Sequence, residues 1–173
     1  EGLLDTYDGE RRPLGAWVLD WTRAQTGVMR GDAKSAALRE IVADLLRTGA
    51  GTTYAVKQIS GVTQRVDLPG GHPLVGRYVP DLWLSDGSRL ADHGHDGGFL
   101  LLDRTPDGTL TGLAAPWAGR VSGVSDDAHG APTGVLVRPD GVVAWASDTT
   151  DPAALSNLEA ALHRWAGAPT PVD

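Results

Sequence analysis

Apolar residues between Glu1 and Arg30 recur at spacings near three and four: Leu3, Leu4, Tyr7, Leu14, Trp17, Val18, Trp21 and Val28. That period predicts a helix. Pro13 interrupts it and is expected to open a second helical segment from its first turn. Asp32 suits the N-cap of a helix running through Arg47, whose apolar face is Ala36, Ala37, Leu38, Ile41, Val42, Leu45 and Leu46. Gly49 and Gly51 are expected to end that helix. A third short helix or irregular segment then carries Tyr54, Val56 and Ile59 and closes at Ser60-Gly61. These helices offer a wide apolar surface with little of their own to cover it, which suggests a piece of something larger.

Beyond Gly70 the pattern is that of a small α/β domain. Leu82-Trp83-Leu84 predicts a short strand that turns at Ser85-Asp86-Gly87 into a hairpin with Leu90. Phe99 to Asp103 is four apolar residues and an aspartate, the signature of a buried central strand. A short helix or loop follows over Leu110 to Trp117, then a strand over Arg120 to Val124 and a loop over Asp126 to Gly134. The strongest local signal is Gly134 to Trp145, where Arg138-Pro139-Asp140-Gly141 separates two valine-rich runs. Proline presets φ, aspartate bonds back to the backbone and glycine takes the positive φ, so a hairpin is expected. Asp151-Pro152 opens a last helix with the stripe Leu155, Leu158, Leu162 and Trp165. The expected organisation is a helical segment at 1–65, a Pro- and Gly-rich connector at 66–80, and a mixed four- or five-stranded α/β domain at 81–173.

Composition narrows the chemistry. The 173 residues are 41% hydrophobic and 21% charged, with no cysteine, so disulfides, thiolate metal sites and dithiol redox chemistry are excluded. Net charge is −7, and residues 61–173 carry fourteen acidic against seven basic side chains, which argues against nucleic acid as a partner. No apolar run approaches a membrane span and no signal core opens the chain, so a cytoplasmic location is expected.

Candidate catalytic groups are few. His93 and His95 with Asp92 and Asp96 form the one dense cluster of possible ligands, but the surrounding glycines favour a solvated loop over a metal site. His72 stands in the connector, where local packing is the plainer role, and His163 is expected at the surface or boundary of the last helix. Asp86, Asp107 and Asp140 each precede a glycine and are explained as turn residues. No dinucleotide, phosphate-loop or nucleophile-elbow pattern occurs. No catalytic, cofactor-binding or metal residue is therefore assigned.

The chain nevertheless resembles a known family. Leu3-Leu4-Asp5-Thr6-Tyr7 followed by Glu10-Arg11-Arg12-Pro13 is similar to the end of the FAD-binding region of aromatic polyketide hydroxylases, and Ile59-Ser60-Gly61 continues the similarity. These are class A flavoprotein monooxygenases related to para-hydroxybenzoate hydroxylase. Gly71-His72-Pro73-Leu74-Val75-Gly76-Arg77, Pro80-Asp81-Leu82, and Leu136 to Gly141 with Ala144-Trp145 continue the likeness.

The resemblance implies helices trailing an FAD domain, then a thioredoxin-like domain without redox function. It implies FAD and NAD(P)H for the parent enzyme, none bound by this chain alone, with the FAD and substrate domains of the same protein as partners. Tyr7, Arg11 and Trp17 become candidates for buried interdomain contacts. Exposed helical surface also leaves room for a homodimer. Ala131-Pro132 falls where thioredoxins place a cis-proline, and Arg104 to Gly108 where they place their thiols. The alternative is a free-standing thioredoxin-like binding module without redox activity.

Overall fold

The computed structural model describes residues 2–128 and 130–170. The chain divides into two compact units, Glu1–Val66 and Asp67–Asp173.

The first unit is three helices, α1 (Gly2–Met29), α2 (Ala33–Arg47) and α3 (Gly49–Ile59), with α2 packed against both others. Contrary to expectation, Pro13 lies inside one continuous α1. Proline removes the hydrogen bond to the carbonyl four residues back and crowds that carbonyl; that residue is Gly9, and both Gly9 and Pro13 are exposed, so solvent reaches the freed carbonyl. Asp32 caps α2 as expected, accepting from the Ser35 N–H at 3.0 Å and its hydroxyl at 2.9 Å. Arg39 closes the other end of α1 by donating to the carbonyls of Val28 at 2.8 Å and Arg30 at 2.6 Å, a cation on a helix C-terminus.

Gly49 and Gly51 do not end a helix; they begin one. Thr48 breaks the chain with extended φ and ψ, and its hydroxyl oxygen accepts from the Gly51 N–H at 3.0 Å. A Cβ on Gly51 would fall 2.0 Å from the Leu45 carbonyl oxygen, so this tight corner needs glycine.

The second unit is built on a mixed four-stranded sheet in the order β2-β1-β3-β4. Its strands are β1 (Phe99–Asp103), β2 (Val121–Ser125), β3 (Gly134–Val137) and β4 (Val143–Ser147). β1 runs parallel to β2 and antiparallel to β3, and β3 and β4 form the expected hairpin. Between β1 and β2 lie α4 (Thr109–Ala114) and a 3-10 turn at Ala115–Trp117; α5 (Pro152–Ala166) follows β4. Two parallel strands, a hairpin and a final helix in this order give the expected α/β topology of thioredoxin-like domains.

Leu101, Leu102, Val135, Leu136 and Val143 are fully buried in the sheet, as are Leu110, Leu158 and Leu162 on the helices. Each such side chain contributes about 2 kcal/mol of transfer free energy. In the α5 stripe, Leu158, Leu162 and Trp165 are buried while Leu155 is only half-buried; Ala154 and Ala166 join them instead.

Residues 67–80 run beside β4. Gly76 N–H donates to Val143 O at 2.9 Å, Val143 N–H to Arg77 O at 2.9 Å and Val79 N–H to Gly141 O at 2.9 Å. Leu68 and Val75 are buried there. The small hairpin expected at Leu82–Leu90 forms: Trp83 and Arg89 bridge antiparallel, Leu84 N–H donates to Ser88 O and Leu90 N–H to Leu82 O, each at 2.9 Å, and Leu90–His93 then winds into a 3-10 turn. Asp92 drives that turn by accepting from the Arg89 N–H at 2.9 Å.

Candidate functional site

The C-terminal end of β1 is where a thioredoxin-like domain would carry its chemistry. Asp103, the last residue of that central strand, is 1% exposed. One carboxylate oxygen accepts from the Thr105 N–H at 2.9 Å and hydroxyl at 2.5 Å. The other accepts from the Thr111 N–H at 2.7 Å and hydroxyl at 3.0 Å. Thr105 then relays the pattern, its oxygen accepting from the Thr109 N–H at 2.8 Å. Asp107 accepts from the Thr109 hydroxyl at 2.6 Å; that bond, outweighing partial desolvation, holds its carboxyl below the usual range.

A second carboxylate is buried beside this loop. Asp126 follows β2, and its side chain is fully enclosed while that of Arg104 is 10% exposed. Arg104 Nε donates to it at 2.8 Å, Ser85 N–H at 2.9 Å and Ala128 N–H at 3.3 Å. Burial alone would raise the Asp126 pKa, but the Ser85 and Arg104 hydrogen bonds overcome it and hold it at about 2. Arg104 also reaches the Pro132 carbonyl at 3.4 Å, and its N–H donates to Thr133 O at 2.9 Å. The Ala131–Pro132 bond is cis, the form expected from the resemblance.

This corner is closed. Its N–H groups are those a phosphate would need at a strand-to-helix turn, and the carboxylates of Asp103 and Asp107 already hold them. A flavin or nicotinamide dinucleotide does not fit it. The corner has the position of a redox site and the chemistry of a structural joint.

The histidine cluster is also accounted for locally. His93 Nε2 lies 3.0 Å from the Ser88 hydroxyl, Asp92 caps the 3-10 turn, and Asp96 accepts from the Gly98 N–H at 2.9 Å and the Ser122 hydroxyl at 3.2 Å. No group of three histidines or carboxylates among the described residues is placed to hold a metal. His163 is exposed and stands edge-on to Trp117, ring centroids 5.0 Å apart. His129 lies outside the described residues.

His72 makes a defined pair. Its Nδ1 accepts from the Leu74 N–H at 3.2 Å, so Nε2 carries the hydrogen that faces Asp148 Oδ1 at 3.3 Å. It borders a groove of about 420 Å³ against α5. In the first unit, Trp17 stacks on Trp21 with centroids 5.5 Å apart, while Tyr7 is 68% exposed and Arg11 half-buried. Of these features, only the Asp103-to-Thr105 bond spans a local spacing, the two residues of an Asx turn. Nothing in the sequence marked Arg104 for Asp126, 22 positions away.

A family model for the C-terminal region of aromatic-ring hydroxylases matches residues 72–169. A monooxygenase of Claviceps purpurea is 42% identical over 168 residues, covering 94% of this chain and 32% of that protein. The anhydrotetracycline hydroxylase OxyS of Streptomyces rimosus, a solved structure, is 38% identical with a TM-score of 0.84, over 97% of this chain and 36% of its own. The rebeccamycin biosynthetic enzyme RebC, solved with reduced flavin, is 26% identical with a TM-score of 0.61, over 96% of this chain and 36% of its own. The chain thus spans about a third of the length of the relatives it matches.

Proposed function

This chain belongs to the aromatic-ring hydroxylase C-terminal family, and from that premise we propose that it is the C-terminal portion of a cytoplasmic, FAD- and NAD(P)H-dependent monooxygenase acting on an aromatic or polyketide substrate. In this reading residues 1–65 trail the flavin domain and residues 81–173 form a structural, non-catalytic module. The observation that carries it is the helical unit. Leu4, Tyr7, Leu19, Ile41, Leu45, Tyr54 and Ile59 are all more than half exposed, a concentration of large apolar side chains that suits an interaction surface. The flavin and substrate domains of the same protein supply the natural cover.

The closed corner at Asp103 supports the same division of labour. Bound flavin would supply oxygen activation, and no residue of this chain is assigned a step in it. These residues hold the module's fold and present a surface to the domains that bind the cofactor.

Titration of the chain with FAD, followed by flavin fluorescence and visible absorption, tests the placement. Flavin spectra should stay those of the free cofactor. Stoichiometric binding with a perturbed spectrum would put the cofactor site on these helices and overturn the reading.

A further inference from the structure

We propose that the groove between α5 and residues 69–72 binds a planar aromatic anion, with Arg164 as its charge partner. The groove lies wholly within the second unit, and its volume of about 420 Å³ is that of a small-molecule site. Gly70 and Gly71 form one wall, Ala160 and Ala161 the other. Pro69 and His72 flank the glycines, and Asn157, Arg164 and Trp165 flank the alanines; between them Gly70, Gly71, Ala160 and Ala161 carry nothing larger than a methyl group, which leaves room for a flat ring. Gly70 is fixed in that role: its φ is +145°, and a Cβ would stand 3.2 Å from Val75. The floor is apolar, with Val75 2% and Trp145 6% exposed.

Polar groups stand at the two ends of the α5 wall. Asn157 and Arg164 are two helical turns apart on one stripe with Ala160 and Ala161, which separates them by roughly 10 Å along the axis. The Arg164 guanidinium rests over the Trp165 ring at 5.1 Å. No carboxylate among the described residues pairs with it, whereas Arg89, Arg104 and Arg138 each have one. An exposed, aromatic-stacked guanidinium without a counter-ion suits a bidentate carboxylate. His72 does not compete for that role, since its ring nitrogens face Leu74 and Asp148. The ligand class is an aryl carboxylate of two or three fused rings, its acid group at Arg164 and a hydrogen-bonding group toward Asn157. This inference rests on the groove alone and stands independently of the flavin reading.

The test is titration of the full chain with 2-naphthoate, following backbone amide shifts by two-dimensional NMR, with 2-naphthamide as the uncharged control. Saturable shifts should concentrate at Gly70, Gly71, Ala160 and Ala161, and the amide should bind more weakly. Arg164→Gln should weaken naphthoate on the order of tenfold, the loss of one charged hydrogen-bonding partner. Ala161→Phe should abolish binding by filling the groove. Both positions lie outside the buried core, and the same spectra report whether the fold is kept. Shifts that do not saturate, that centre elsewhere, or that survive Arg164→Gln at unchanged affinity would overturn the proposal.

Discussion

Asp126 and Arg104 show what a buried ion pair does in a small domain. Three donors converge on one enclosed carboxylate, so removing either charge strands the other, at a cost of about 3–5 kcal/mol. The pair also sets an acid limit. The folded Asp126 pKa is about 2, below the roughly 3.9 of an unfolded aspartate. Its contribution is therefore complete above pH 4 and disappears as pH falls through 2. That window is worth on the order of 2 kcal/mol. Denaturant titrations at pH 5 and pH 2 should show this loss in the native protein. Asp126→Asn should be less stable at pH 5 and should lack that share of the pH dependence; an identical slope in the variant would refute the assignment.

At the scale of elements, Leu110 of α4 and Trp145 of β4 both close on Gly134 at the start of β3. A Cβ on Gly134 would fall 2.3 Å from Leu110 Cδ1 and 3.0 Å from the Trp145 ring. Both neighbours are buried, and the leucine is fully enclosed. Gly134→Ala should therefore cost about 1–3 kcal/mol by overpacking, measured as a lower unfolding midpoint with unchanged m-value. Elements whose signals are local were legible in the sequence: the Phe99–Asp103 run, the Arg138–Gly141 turn and the Asp151 cap, which accepts from the Ala154 N–H at 2.8 Å. The misreadings came where a side chain outvoted a pattern. Thr48 made a helix start of glycines that look like a stop, and exposed Pro13 was carried inside one helix where the pattern suggested a break. The corner around Asp103 was half legible, since Thr105 is two residues away while Thr111 arrives with α4.

At the scale of the molecule the two units differ in how they are held. Within the described residues of Glu1–Val66, Ser35 is the only one that is buried, whereas the second unit has a continuous apolar core. Low burial predicts low local stability. In hydrogen exchange the amides of α1–α3 should exchange orders of magnitude faster than those of β1 and β3. In a longer protein carrying a flavin domain ahead of them, the same amides should become protected. Equal protection of helices and sheet in the chain alone would show that the first unit needs no cover. No helix among the described residues is long and apolar enough to cross a membrane.

The strip of residues 67–80 alongside β4 also has a consequence in time. His72 meets Asp148 across 76 positions, and Gly76 and Val79 bond to the segment at 141–143. On a ribosome adding roughly 5–20 residues per second, the strip waits about 4–15 s for its partner to be made. During that interval Leu68 and Val75 have no sheet to cover them. The emergence of residues 141–148 therefore decides when this strip can close onto its own domain instead of onto a neighbouring chain.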